Sequence, residues 1–314
     1  MVNFMNRVFG CAVVKAINSN YNADFSGHPR TLPNGVVYAT DKAFKYAIKN
    51  YLKDVYPQEK IFYFKSLNEN LNPLSLDETY KKHFGDYPKG SGKEKDKEVK
   101  SSVAGNLLSC LDIRLFGATF AGKTNISLHG PVQVNHGVNI WKENNIFTEQ
   151  ITSPFSNKAN DPEAEKGMTT IGRQSKLEEG HYLHHFSVNP KNLSDIVSLA
   201  GEGANTLSDK DIEKLKEAMR RGVTWYDSAS KAGSENEMLI WVELNENSKV
   251  VLPNFSNLID LESEKENGKY VYDMARLKEV LNNNKSEIKL IEVYYSKQSV
   301  ELKNKPDSVK EIEL

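Results

Sequence analysis

No stretch of the sequence approaches the ~18 consecutive apolar residues that a membrane-crossing helix needs, so no membrane span is expected. Cysteine is equally scarce. Cys11 and Cys110 are the only two in 314 residues, enough for at most one bridge and without the spacing of a metal-binding motif. Both read as small core residues in a chain suited to a reducing, cytoplasmic setting. An excess of one charge is missing too: 41 Lys plus Arg stand against 42 Asp plus Glu, a net charge of −1. That balance excludes a protein that binds through bulk positive charge. With 39% hydrophobic and 26% charged residues, the chain falls in the soluble globular range. Its length allows two domains, or one with large insertions. Val8-Phe9-Gly10-Cys11 behind Arg7 imitates a lipoprotein cleavage box, but only two apolar residues separate Arg7 from Gly10. No apolar leader core fits there, and 8–17 reads as a strand.

The near-zero net charge hides an asymmetry. Residues 1–150 carry 19 basic and 14 acidic side chains, whereas 151–314 carry 22 and 28. The imbalance is concentrated in the first fifty residues, where Arg7, Lys15, Arg30, Lys42, Lys45 and Lys49 face only Asp24 and Asp41. A polyanion site is therefore expected to begin there. Thr40 is a fitting N-cap and Asp41 suits the positive end of a helix running to about Asp54. At 100° per residue, Phe44, Ala47, Ile48, Tyr51 and Leu52 fall within an arc of roughly 140°, the expected buried stripe. Lys42, Lys45, Lys49 and Lys53 fall within roughly 80° opposite and are expected as one exposed cationic line. A second helix is expected over 209–221, with Ser208 as N-cap, Asp211 at N3 and Gly222 as its end. Its basic residues alternate with Asp209, Glu213 and Glu217, which is ordinary salt-bridge lacing and no ligand site.

Asn18, Asn20, Asn22, Gly27, Pro29, Pro33, Asn34 and Gly35 mark 18–38 as a long loop. Residues 61–67 read as a strand, 75–84 as a short helix and 86–100 as a polar solvent loop or disordered hairpin tip. Residues 126–134 read as a strand with Pro131 at a bulge or edge. Residues 152–178 carry almost no apolar periodicity and read as a functional protrusion. Strands at 181–189 and 238–244, a helix-like 270–282 and a strand-like 288–295 complete the chain. Without the insertions the order is β-α-β-β-α-β, so the expected class is α+β with a ferredoxin-like arrangement.

Two chemical motifs fail on context. Gly117-Ala-Thr-Phe-Ala-Gly122-Lys123-Thr124 satisfies the phosphate-loop pattern, but that loop works by opening a helix whose N-terminal amides hold phosphate. Here the continuation alternates and meets Gly130-Pro131, so no helix of useful length can start at Lys123. His181, His184 and His185 cluster, yet strand alternation places His184 on the face opposite the other two. A structural or RNA-stacking role fits them better than zinc. No Ser/His/Asp or Cys/His grouping stands out, and neither a metal nor a cofactor is expected.

At Cys110-Leu-Asp112-Ile-Arg114-Leu-Phe-Gly117 the chain resembles the backbone subunit of the CRISPR-associated Cascade complex, the seventh Cas family, in its type I-B version. Three further blocks agree in order: Gly130-Pro131-Val132-Gln133, Met168-Thr-Thr-Ile-Gly172-Arg173, and Gly180-His-Tyr-Leu-His-His-Phe-Ser-Val-Asn-Pro190. The resemblance spans roughly 8–245. It implies an RRM-like palm (1–54, 101–147 and 179–245), a fingers insertion (55–100), a thumb hairpin (148–178) and a C-terminal addition (246–314) packed on the palm. It further implies a non-enzymatic subunit that stacks head to tail along a crRNA, presents the guide to target DNA and meets other Cascade subunits. Carried over by position, Asn20, Asn22, His28, Arg30, Lys42, Lys45 and Lys49 would hold the crRNA backbone, and Gln133 would face the guide. In the thumb, Met168 would be the wedge that unstacks bases, with Arg173 and Lys176 on phosphates. Thr169-Thr170-Ile171 interrupt the usual Met-Gly-Arg, which leaves Ile171 as an alternative wedge. Asp112 and Arg114 are expected as a buried structural pair. Relatives that cut RNA use an Asp in the early loop, and Asp24 would be that residue in the alternative reading.

Overall fold

The computed structural model describes residues 2–90, 95–156, 168–201 and 204–314, with the backbone alone at 156 and 168–171. Strand β1 (Val8–Ser19) is apolar almost without a break, and its two faces enter different cores. Val8, Ala12, Val14 and Ala16 lie in one core, Phe9, Cys11 and Val13 in the other. A strand of that pattern belongs in the middle of a sheet covered on both sides.

The chain continues through β2 (Tyr38–Ala39), α1 (Asp41–Val55), α2 (Leu76–Phe84), α3 (Lys95–Leu108) and α4 (Leu111–Phe116). The hairpin β3 (Gly117–Ala121) and β4 (Asn125–His129) leads to β5 (Val132–Val134) and β6 (Gly137–Asn139). A long hairpin follows, β7 (Ile146–Ser156) and β8 (Met168–Val188), then α5 (Ser194–Ala200), α6 (Asp209–Trp225) and β9 (Ser234–Leu244). The last part holds β10 (Asp260–Leu261), β11 (Tyr270–Asp273), α7 (Ala275–Asn283), β12 (Ile288–Tyr295), β13 (Val300–Lys303) and β14 (Lys310–Ile312). Among the described residues the main sheet runs β14-β12-β9-β1-β8-β6-β2, with β5 and β7 also paired to β8. The protein is thus mixed α+β, and β1, α1, β5, β8, α6 and β9 follow the expected β-α-β-β-α-β order.

Helices α1 and α6 cover one face of the sheet through Phe44, Ile48, Leu52, Ile212, Leu215 and Met219. Residues 252–302 cover the other, with Phe255, Tyr272 and Leu277 against Met238, Ile240 and Val242. A third core, around Phe62, Tyr80, Leu107, Ile113 and Phe120, lies outside these two layers. Because α3 contributes to it on both sides of residue 100, the boundary expected at 100/101 cuts through a helix.

Thr40 caps α1 through its side chain, which accepts from Ala43 N–H, and the buried stripe is the expected one. Ser208 and Asp211 form the capping box of α6, but Gly222 does not end that helix. It lies inside it: a Cβ at Gly222 would stand 2.9 Å from the Ala47 carbonyl oxygen, so the glycine is spent on the close crossing of α1 and α6.

Other expectations change. Residues 61–67 form no strand, and 95–100 belong to α3 instead of a loop. The single strand expected at 126–134 is broken at Gly130-Pro131 into β4 and β5, which join different sheets. Gly117–Thr124 is a β-hairpin, which settles the phosphate-loop imitation: no helix follows Lys123. The strand expected at 181–189 is the end of one 21-residue strand, and most of the protrusion is strand as well. β7 is exposed along nearly its whole length, so its pairing with β8 leaves no apolar alternation to read.

Asp112 and Arg114 are both buried, but they do not pair with each other. Asp112 accepts from the N–H groups of Phe62 and Tyr63, each at 2.8 Å. Arg114 makes a two-pronged bond to Asp211, Nε to Oδ2 at 3.1 Å and Nη2 to Oδ1 at 2.9 Å, and donates Nη1 to the carbonyls of Leu108 and Ser109. This fork ties the third core to α6.

The histidines divide as alternation requires. His184 is stacked on Phe44 at 4.9 Å, with Nδ1 3.0 Å from the Asn135 carbonyl and Nε2 3.3 Å from the Tyr21 hydroxyl. That arrangement suits a neutral ring with its proton on Nδ1. It is a core residue, and no base can reach it. On the opposite face His181 Nδ1 lies 2.5 Å from Glu237 and 3.0 Å from the Tyr272 hydroxyl. Both cysteines are free and buried, and burial pushes the Cys110 thiol up to about 12.

Removing one partner of a buried fork leaves an uncompensated charge. Asp211→Ala is expected to cost about 3–5 kcal/mol in a urea titration; a loss below about 1 kcal/mol would show that the fork carries no such weight. Burial moves His184 from 6.5 to about 4. Below 6.5 the unfolded chain takes a proton that the folded chain refuses, so this contribution to stability is lost as pH falls from 6.5 to about 4. Burial opposes protonation of His181, but its bonds to Glu179 and Glu237 outweigh that and raise its pKa, so its contribution is lost as pH rises through the folded pKa. His184→Gln should therefore flatten the acid side of a stability–pH profile relative to the parent; equal slopes in the two proteins would refute the assignment.

Candidate nucleic-acid interface

The four lysines of α1 do not form one exposed line. Only Lys42 and Lys53 are exposed; the segment Phe62–Phe64 crosses the helix face at Lys49, and Asp41 and Phe116 partly cover Lys45. Asp112 holds that segment by its two N–H groups, and the Tyr63 carbonyl then accepts from Lys49 Nζ at 2.8 Å. Lys49 is thereby half withdrawn from solvent, and burial lowers its pKa. Lys45 pairs with Asp41 at 3.0 Å and lies 5.6 Å from the centre of the Phe116 ring. Both ammonium groups border a groove of about 380 Å³ that Tyr63, Phe116, His129 and Gln133 also line.

Gln133 donates to the Gly130 carbonyl at 2.8 Å, which fixes its amide at the rim. Gly117, packed against Gly130, starts the hairpin with φ +76, and a Cβ there would stand 2.2 Å from the Leu128 carbonyl oxygen. The hairpin that imitates a phosphate loop is thus the groove's wall. His129 and Tyr63 were not legible as groove residues, since only the crossing of 62–64 and the turn at Gly130 bring them there.

The early loop is built on its own side chains. Asn22 Oδ1 accepts from both the N–H and the hydroxyl of Thr40, each at 2.9 Å, and so fastens the loop to the start of α1. Asn20 Nδ2 donates to the carbonyls of Gly27 and Ser175, both at 3.1 Å, and so fastens it to β8 at the foot of the long hairpin. These two amides serve the loop's framework. His28 is exposed, and Arg30 is half-buried with Nε on the Ala23 carbonyl at 3.1 Å. Asp24 accepts from Ser26 N–H at 2.8 Å and His28 N–H at 2.9 Å, and the His28 bond leads in holding its pKa below the usual range. No group of three or more potential metal ligands occurs among the described residues.

Lys231, absent from the expected set, donates to the Tyr21 carbonyl at 2.7 Å beside the same loop, and burial pushes its pKa down to about 8. In the long hairpin Arg173 is exposed opposite Gln150, and Lys176 pairs with Glu149 at 3.2 Å. The side chains of Met168 and Ile171 lie outside the described residues. The structure therefore joins Lys45, Lys49 and Gln133 in one groove, and joins the Asn20–Arg30 loop to both α1 and β8. Lys176 lies next to Ser175 at the foot of the hairpin, and Arg173 lies farther along it. No described helix is long and apolar enough to cross a membrane.

Comparison with characterised proteins finds no match by sequence. Among solved structures, a chain of a "CRISPR RNA-guided surveillance complex, pre-nicking" is similar over 97% of this chain and 96% of its own, with a TM-score of 0.55 at 14% identity. A chain of a "CRISPR RNA-guided surveillance complex" aligns over 92% of this chain and 88% of its own, with a TM-score of 0.46 at 11% identity. The family model for the CRISPR-associated protein Cas7 matches residues 6–281, which take in the early loop, every wall of the groove and the long hairpin. The chain is a member of the Cas7 family of CRISPR-associated proteins.

Proposed function

We propose that the protein is a crRNA-binding backbone subunit of a type I-B Cascade, without enzymatic activity of its own. Its partners are the crRNA, the target DNA paired with it, further copies of the chain in a head-to-tail filament, and other Cascade subunits. The observation that carries this reading is the groove in which Lys45 and Lys49 meet Gln133, beside a loop fastened to the start of α1. Two ammonium groups in a concave, partly apolar site suit a phosphodiester backbone and read no sequence, as a guide holder requires. The type I-B assignment rests on the resemblance at Cys110–Gly117, and the Gly130–Gln133 and Gly172-Arg173 blocks favour the DNA-targeting branch over the RNA-cutting one. On this reading the main sheet with α1 and α6 is an RRM-like palm, the third core belongs to the fingers, β7 and β8 make the thumb, and residues after 245 form the C-terminal addition. Met168 or Ile171 wedges the bases, with Arg173 and Lys176 on phosphates.

The alternative, RNA cleavage through Asp24, draws on that residue's place in the early loop. Its carboxylate is engaged by two N–H groups of its own turn, which favours a structural role. Incubating the assembled complex with complementary RNA and Mg²⁺ separates the readings. We expect no cleavage; regularly spaced products that vanish in Asp24→Ala would replace the proposal with the alternative.

Joint replacement of Lys45 and Lys49 by Ala should weaken crRNA retention equally for unrelated spacers. It should also reduce the slope of log K against log salt by about 1.4, the share of two phosphates on a single strand. A slope unchanged from the parent would remove the groove from the interface.

A further inference from the structure

Phe25 is completely exposed, at 104% of its reference area, yet the backbone around it is fixed. Asp24 N–H donates to the His28 carbonyl at 2.8 Å, Gly27 N–H to the Asp24 carbonyl at 3.2 Å, and Ala23 bridges Pro29 as a short antiparallel pair. Residues 24–27 thus make a β-turn, and its two ends have clear reasons for their residue types. Asp24 satisfies two N–H groups through its side chain, and Gly27 takes φ +83. Phe25 serves neither purpose. Turn apices take polar residues or proline, and a large aromatic there satisfies no turn bond and buries no surface.

The surroundings say what the ring could meet. Arg30 places its guanidinium 5.8 Å from the centre of the Phe25 ring, and His28 is exposed on the same turn. Asn22 ties this turn to the start of α1, and Asn20 ties it to β8 at the foot of the hairpin. The ring therefore projects from a loop braced between the two elements assigned above to the guide, with a guanidinium beside it. The Asp24 carboxylate, the one nearby anion on the turn, is occupied by the turn's own N–H groups.

We propose that Phe25 is a stacking platform for a nucleobase of the bound guide RNA, with Arg30 beside it on the backbone. The inference rests on the crRNA reading given above. An aromatic face accepts any base, because every base has a π-face. That tolerance is what a protein carrying guides of unrelated sequence needs, and a hydrogen-bonding side chain at the same place would defeat it. An aromatic next to a guanidinium matches the stacking-plus-cation chemistry of single-stranded nucleic acid sites.

The test uses the assembled complex and crRNAs carrying 2-aminopurine at successive spacer positions, a base whose fluorescence is quenched by stacking. In the parent complex we expect quenching at positions recurring once per copy of the chain. Phe25→Leu should relieve that quenching at those positions alone and make RNA dissociate roughly tenfold faster, the scale of a lost stacking contact. Phe25→Tyr should restore both. Since the side chain is exposed, neither substitution removes a core contact. If the Leu variant retains its RNA with an unchanged fluorescence pattern, the platform is refuted while the guide reading stands. If copies of the Leu variant fail to associate on RNA that each still binds, the ring is a protein contact and the proposal is equally refuted. A parent complex holding no RNA would overturn the guide reading itself.

Discussion

Both faces of β1 are buried, and this one constraint organises the rest of the molecule. A strand paired on both edges and covered on both sides cannot lie at the rim of a sheet, so the chain must return with β8 and β9 as its neighbours and supply a layer for each face. Helices α1 and α6 provide one layer, and residues after 250 provide the other. The elements proposed to hold the guide then hang from fixed points. The early loop leaves the end of β1, and the long hairpin is the continuation of β8 beyond the sheet, in register with β1 as far as Ser19 opposite Leu177.

Polar groups carry that order outward from the core. The Asp-x-Arg-Leu-Phe-Gly block, taken as a mark of the family, proves to be a set of structural parts. Asp112 holds Phe62 and Tyr63, Arg114 grips Asp211 at the start of α6, and Gly117 turns the chain into the hairpin. Each bond is buried or nearly so, where an unpaired group costs more than a pair gains, and so each fixes a position more than it adds stability. The net result is the placement of a carbonyl, that of Tyr63, against Lys49. Electrostatics at the groove is thus set by a chain of contacts beginning about 60 residues away in sequence.

How much of this was legible depended on whether a residue's role was local. The cap of α1, its apolar stripe and the capping box of α6 involve neighbours within four positions, and they could be read directly. The failure of the phosphate-loop motif was legible for the same reason, since Gly130-Pro131 lies six residues beyond Thr124. The partner of Arg114, 97 positions away, was not. Nor was the role of Gly222, which resembles a helix stop and is set by a crossing with Ala47. The hairpin was legible only through the family resemblance, because β7, exposed along nearly its whole length, has no reason to alternate. The lysine line was right in its angles and wrong in its exposure: helical geometry gives directions, but only the fold shows that residues 62–64 lie across that face.

That last difference bears on binding. A lysine in open solvent gives up its hydration shell and its conformational freedom when it meets a phosphate, and surface ion pairs gain little for that reason. Lys49 has surrendered part of both already, since the Tyr63 carbonyl holds it and burial lowers its pKa. Lys231 is in the same condition beside the early loop, on the Tyr21 carbonyl. Folding has met part of the desolvation cost in advance, so on the proposed reading an arriving phosphate would find a cation that is already fixed and partly desolvated. Preorganisation of this kind needs few charges, and it makes a net charge of −1 compatible with the proposed hold on a polyanion.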